Sequence, residues 1–117
     1  MTVVGVGARP GVSAAEVLAA VDAVLPACAA PQDGVRLATL DVRAAEPGLQ
    51  AAAAARGWPL TGHPAATLAA VPVPSPSARV ADAVGTASVA EAAALLGGGT
   101  LLVARTVVGP VTVAVAS

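Results

Sequence analysis

Hydrophobic and polar positions alternate along the chain in two rhythms, one of strands and one of helices. Thr2–Val6 is short, apolar and β-branched, which predicts a buried strand. Gly7–Val12, with Gly7, Pro10 and Gly11, predicts a loop. Ser13-Ala-Ala-Glu16 then reads as a capping box: the hydroxyl accepts a backbone N–H and Glu16 reaches back. In the helix that follows, Val17, Val21, Val24 and Leu25 recur at i, i+4, i+7 and i+8 with Leu18 beside them, which makes one apolar stripe. Pro26 and Pro31 bracket its end and the next connection.

Val35–Asp41 predicts a second strand. Pro47 suits the first turn of a helix running through Ala51–Ala55, and Gly57 suits its stop. Trp58–Thr61 predicts a brief third strand, Pro64–Ala70 a short helix, Pro72–Ser77 an extended internal connector and Ser77–Val84 another helix. Ser88-Val-Ala-Glu91 repeats the capping box and opens a helix that ends at Gly97-Gly98-Gly99. Leu101–Ala104 and Val111–Ala116 predict the last two strands, joined by a turn at Thr106–Pro110 into an antiparallel hairpin. The order predicts an α/β fold in three layers: a mostly parallel mixed sheet of about five strands, helices on both faces and a C-terminal antiparallel hairpin.

Length and composition narrow the function. A chain of 117 residues predicts a single domain over 1–117. A hydrophobic fraction of 56% argues against disorder. Charged residues are only 11%, against roughly 25% in an average soluble domain, so the places where they occur carry information. The net charge of −1 and an aromatic content limited to Trp58 speak against nucleic acid as a partner. Cys28 stands alone, which excludes an internal disulfide, and with His63 it is too little for the usual zinc shells, so no metal is expected. The N-terminus has no basic region ahead of an apolar stretch, and no apolar window reaches about 18 residues. A cytoplasmic protein with no membrane partner is therefore expected. Low charge with high apolarity leaves a homo-oligomer open.

In such sheets ligands sit outside the carboxyl ends of the parallel strands. Arg9 follows the first predicted strand, Asp41, Arg43 and Glu46 the second, and His63 the third, while Arg105 ends the fourth. Gly5-Val-Gly7-Ala-Arg9-Pro-Gly11 lies between a strand and a capped helix. It reads as a tight structural turn or as a carboxylate cradle built on Arg9; a nucleotide loop is a weak reading, because the last glycine spacing is off and no Lys-Ser/Thr ending follows. Asp41 and Glu46 are the catalytic candidates, as a carboxylate pair for acid–base work, or with Arg43 a neutralised ion-pair cluster. His63 is a weak base candidate with no evident nucleophile, and Cys28 reads as an inert buried thiol. Ser88 and Glu91 read as a helix cap, compatible with holding an anion.

Together these motifs resemble the CobE / CbiG C-terminal domain family of cobalamin (vitamin B12) biosynthesis. The likeness runs in order over nearly the whole chain. Gly5-Val-Gly7-Ala-Arg9-Pro-Gly11-Val-Ser13 is similar to the family's Gly-x-Gly-Cys-basic-basic-Gly-x-Ser start. Leu40-Asp41-Val-Arg43-Ala-Ala-Glu46-Pro-Gly48-Leu49 is like its Asp-x-Lys-x-x-Glu-x-Gly-Leu stretch. Val84-Gly85-Thr86-Ala87-Ser88-Val89-Ala90-Glu91-Ala92-Ala93 is close to its Val-Gly-x-x-Ser-Val-Ala-Glu-Ala-Ala signature, and Arg105–Thr112 looks like its basic–Gly–Thr hairpin. Ala8 stands where the family has Cys, Pro10 where it has a second basic residue, and Pro110 where a polar residue is common.

The resemblance implies a part in building the corrin ring, with no cofactor of its own. Longer CbiG proteins open a lactone and release acetaldehyde; this chain starts at the first motif and resembles a stand-alone CobE-type protein. A corrinoid or precorrin intermediate is the expected partner, with other cobalamin-pathway enzymes as further partners. Corrin intermediates carry several carboxylates, for which Arg9, Arg43 and Arg105 and the helix starts at Ser13 and Ser88 are suitable donors. The expected ligand-binding residues are thus Gly5, Gly7, Arg9, Gly11 and Ser13 in the first loop, Asp41, Arg43 and Glu46 after the second strand, and Ser88 and Arg105. The alternatives are a hydrolase acting on the lactone of a precorrin intermediate, with Asp41 or Glu46 as base, and a non-catalytic module that docks on another enzyme.

Overall fold

Thr2–Ala8 forms β1, the middle strand of the sheet. The computed structural model describes residues 2–25, 34–71, 89–97 and 100–117. The other elements are α1 (Ala14–Val24), β2 (Val35–Leu40), α2 (Asp41–Ala44), α3 (Pro47–Arg56), β3 (Leu60–His63), α4 (Ala65–Ala69), α5 (Val89–Gly97), β4 (Leu101–Val108) and β5 (Val111–Ala116). The five strands lie in the order β3-β2-β1-β5-β4. β1 pairs in parallel with β2, and β2 with β3, while β5 runs antiparallel to both β1 and β4. This is the expected α/β architecture with its C-terminal hairpin. Among the described residues no helix is long and apolar enough to cross a membrane.

Strand alternation assigns the two faces. Val4 and Val6 of β1, Leu37 of β2 and Val111, Val113 and Val115 of β5 form one core with Val17 and Val21 of α1 and Leu49 and Ala52 of α3. Val3 and Ala38 point the other way and pack with Leu68 of α4 and with Val89, Ala92 and Ala93 of α5. Ala90 and Ala94 of α5 pack on Ala114 and Ala116 of β5. The helices therefore cover both faces of the sheet.

The local signals explain the element ends. Ser13 caps α1: its side chain accepts from the Glu16 N–H, and the Glu16 carboxylate accepts from the Ser13 N–H. Pro47 opens α3 and Gly57, at φ 68°, closes it in the left-handed conformation. Three readings shift. The second strand stops at Leu40, because Asp41 starts the one-turn helix α2. The third strand sits two residues later than expected, at Leu60–His63. The fourth does not end near Arg105 but continues to Val108, so the turn shrinks to Gly109 and Pro110. Gly109 at φ 59° followed by a proline has the sign pattern of a type II′ hairpin turn. Two register shifts let eight residues of β4 run beside six of β5. The expected connector Pro72–Ser77 and helix Ser77–Val84 lie outside the described residues.

Two glycines of β1 play different parts. A Cβ on Gly5 would stand 1.8 Å from the Ala90 carbonyl oxygen and 2.8 Å from the Ala94 nitrogen. On Gly7 the nearest atom would be Thr112 Cβ at 3.7 Å, an ordinary contact. The Gly5→Ala variant is therefore expected to lose about 3 kcal/mol or more, because two backbone segments must move apart, and Gly7→Ala to stay within about 1 kcal/mol of the native chain. Urea unfolding of the two variants checks this, and equal midpoints would refute the assigned contact.

Candidate functional site

Because β1, β2 and β3 run parallel, their carboxyl ends share one edge of the sheet. That edge brings together Arg9 after β1, Asp41 after β2 and His63 at the end of β3. Two residues from the second connection tie it to the first. The Arg43 Nε–H donates to the Ala8 carbonyl at 3.1 Å, and its Nη1 donates to Glu46 Oε2 at 2.6 Å. The other Glu46 oxygen, Oε1, accepts the Gly11 N–H at 2.8 Å. The result is a clasp across the two loops. Its members are 35 residues apart in sequence and both side chains are largely shielded from solvent. The Gly11 amide, helped by the Arg43 guanidinium, holds the Glu46 carboxyl below its ordinary range.

The clasp decides what the first loop can offer. The Gly11 amide is engaged by Glu46, while the Ser13 amide and hydroxyl are engaged by Glu16. Chain carboxylates thus occupy donors that the sequence offered to a ligand. Arg9 is exposed on the rim, and neither of the two ion pairs among the described residues includes it. Asp41 is exposed at the first residue of α2. Gly62 lets β3 approach it, since a Cβ there would lie 2.9 Å from Asp41 Cα.

The start of α5 adjoins the same edge. A Cβ on Gly7 would meet Val89 Cβ at 3.9 Å, and Gly5 lies beneath Ala90. Two residues into the helix, Glu91 is fully buried, and its Oε2 accepts the Arg105 backbone N–H at 2.9 Å. Arg105, although three residues short of the end of β4, is in this way held against the first turn of α5. Contacts therefore run from Arg43 through Ala8, Gly7 and Val89 to Glu91 and so to Arg105, which lies back from the edge between the pairs Val103↔Val115 and Thr106↔Val113. Of the expected site residues, Gly5 serves as a contact point for α5, and Ser88 lies outside the described residues, as does Cys28. Sequence reading took Glu91 for a cap; its burial and long-range partner had no local signal.

A second ion pair lies away from this edge. Arg56 donates from Nη1 and Nη2 to both oxygens of Asp22, at 2.8 and 2.7 Å, and its guanidinium lies 5.5 Å from the Trp58 ring centre. The hydrogen bonds from Arg56 hold the Asp22 carboxyl below its ordinary range. The pair joins the far ends of α1 and α3, is largely exposed, and contributes at most about 1 kcal/mol.

Both depressed carboxylates stabilise the fold above their unfolded values and lose that contribution as pH falls towards their folded ones. Asp22 acts equally in a Glu46→Gln variant, so the difference isolates the clasp. The native unfolding midpoint is expected to fall more steeply than that of Glu46→Gln as pH drops below about 4.5. Parallel pH profiles would show that the clasp adds nothing.

Comparison with known proteins agrees with this architecture. Residues 2–116 match the family described as cobalamin synthesis G C-terminus. The crystal structure of CobE, a protein from the cobalamin (vitamin B12) biosynthetic pathway, is similar with a TM-score of 0.82 and 30% identity, over 98% of this chain and 88% of that one. The cobalamin biosynthesis protein chiG from Agrobacterium tumefaciens is similar with a TM-score of 0.70 and 32% identity, over 98% of this chain and 96% of that one. No curated protein sequence matches the chain. Matched over residues 2–116 by one family and similar over 98% of its length to two cobalamin biosynthesis proteins, the chain belongs to the cobalamin synthesis G C-terminus family of cobalamin biosynthesis proteins.

Proposed function

We propose that this protein binds a corrinoid or precorrin intermediate in the cytoplasm, through the rim at the carboxyl ends of β1 and β2. The observation that supports this best is the division of labour among the charged groups there. Glu46 and Glu16 engage the backbone donors of the first loop, which leaves Arg9 exposed beside a clasp that fixes its loop. Arg43 is held by Nε and Nη1, and its remaining nitrogen, Nη2, has no part in the clasp. An acetate or propionate side chain of a corrin is a suitable acceptor for two guanidinium groups presented in this way. Ala and Val are the commonest residues of the chain, which suits a large macrocycle. Arg105, attached to α5, lies further back along β4, level with Ala114.

Titration with a corrin polycarboxylic acid such as cobyrinic acid, followed by its visible absorption, tests the reading. Arg9→Ala is expected to weaken binding about tenfold, as for loss of one charge-assisted hydrogen bond, with the unfolding midpoint unchanged. Affinity should also fall as salt rises. Equal affinity of the native chain and Arg9→Ala would refute the assignment. A stable complex with another enzyme of the pathway, and no corrinoid spectral change, would favour the docking alternative.

Hydrolysis of a precorrin lactone would fall to Asp41, which is exposed at the rim, because both Glu46 oxygens are engaged. Acetaldehyde released in a single turnover by the native chain, and abolished in Asp41→Asn, would establish that chemistry.

A further inference from the structure

We propose that Val107 and Val42 are the apolar contacts for the ring of the bound macrocycle, one on each side of the Arg9 loop; the inference rests on the corrinoid-binding reading above. Among the described residues four large hydrophobic side chains stand exposed: Val42 at 55%, Leu96 at 40%, Leu102 at 46% and Val107 at 68%. One exposed valine is ordinary on a folded surface. What points to a ligand is where the two most exposed of the four lie. Val42 comes just after β2, between Asp41 and Arg43. Val107 stands two residues before Gly109, in the hairpin whose turn reaches the same edge, because β5 runs antiparallel to β1 and Val111 pairs with Ala8. Leu102 lies towards the other end of β4, next to Leu101, which pairs with Ala116.

Strand pairing places Val107 on a defined row. It pairs with Thr112, Thr112 pairs with Gly7, and paired residues share a face of the sheet. A Cβ on Gly7 would meet Thr112 Cβ and Val89 Cβ, so that face is the one α5 lies on. Val108, the next residue, turns to the opposite face and packs against the core, whereas Val107 stays open on the edge strand. Two strand spacings put Val107 about 10 Å from Gly7. Arg9 follows two residues beyond Gly7, and Val42 lies on the other side, one strand over, next to the Arg43 that donates to the Ala8 carbonyl. From β2 to β4 is three spacings, or about 14 Å, with the Arg9 loop between two exposed valines. A corrin has the complementary layout, a broad apolar ring with carboxylates around its margin. Arginines meet the margin and valines meet the ring. A polycarboxylate without a ring would satisfy the arginines and leave both valines in water, so the valines select for the macrocycle.

The test uses Val107→Thr and Val42→Thr, which keep the branched shape but replace a methyl group by a hydroxyl, with Leu102→Thr as the control at the other end of β4. Affinities for cobyrinic acid and for citrate, a polycarboxylate without a ring, are measured by calorimetry at several temperatures. Each valine variant is expected to bind cobyrinic acid about fivefold more weakly, with a less negative heat-capacity change and the native dependence on salt. Citrate affinity should match that of the native chain, and Leu102→Thr should match it for both acids. Native affinity for cobyrinic acid in either valine variant, or an equal loss for citrate, would overturn this inference alone, since Arg9→Ala still reports on the anion contact. A native chain that sediments as a dimer, with Val107→Asp a monomer, would place a second copy on the β4 edge and overturn it as well. Absence of any cobyrinic acid binding by the native chain would remove the corrinoid reading and this inference together.

Discussion

Close approach of backbone to backbone is the constraint on which the arrangement depends. A Cβ on Gly48 would lie 2.0 Å from the Val12 carbonyl oxygen, and one on Gly5 only 1.8 Å from that of Ala90. Each contact has a carboxylate beside it. Glu46, two residues before Gly48, reaches the amide of Gly11, the neighbour of Val12. Glu91, next to Ala90, reaches the amide of Arg105. A glutamate side chain is short, so both hydrogen bonds need the layers to be drawn together first. The sequence makes such closeness affordable: with neither Phe nor Tyr, the interior is filled by Val, Ala and Leu, which take up little thickness.

That thin packing has a cost in hydrophobic stabilisation. Full burial of a Val or Leu side chain stabilises by about 1.5–3 kcal/mol, and Ala by less. The chain compensates through fit rather than bulk, with apolar side chains on both faces of a central strand buried completely at Val3, Val4 and Val6. The charged residues follow a related economy. Three glutamates accept backbone N–H groups, Glu16 from Ser13, Glu46 from Gly11 and Glu91 from Arg105. Charge-assisted bonds of this kind are stronger than exposed ion pairs, so few carboxylates suffice to fix several loops. The arginines are then divided between structure, as in Arg43 and Arg56, and the rim, as in Arg9.

Sequence revealed what is encoded within a few residues. The capping box at Ser13, the proline and glycine that bracket α3 and the strand alternation of β1, β2 and β5 depend on local preference and periodicity, and each is present. α2 was not legible, since one helical turn from Asp41 to Ala44 has too few residues to show a period. The length of β4 was not legible either. Two bulges interrupt the alternation on which strand reading relies, and the polar pair Arg105-Thr106 looked like the start of a turn. At the site, the residue types that follow each strand could be named, and Arg43 and Glu46 were already a choice between ion pair and acid–base pair. The partners of Glu46 and Glu91 could not be named, because Gly11 and Arg105 come within reach only once distant glycines allow the layers to close.

On the proposed reading, rigid loops at the rim would lower the cost of recognising a multiply charged ligand. A guanidinium on a mobile loop loses side-chain and backbone freedom when it binds, and that entropy offsets much of the gain from one salt bridge. The Arg43–Glu46 clasp removes the backbone part of this cost in advance, by fixing Ala8 and Gly11 on either side of Arg9. Arg9 therefore brings only its own rotamers to be ordered. Pro10, where the family has a second basic residue, works in the same direction: it gives up a charge but restricts φ next to the arginine that remains. On that reading, in a chain with so few charges, preorganisation of one arginine would substitute for the presence of two.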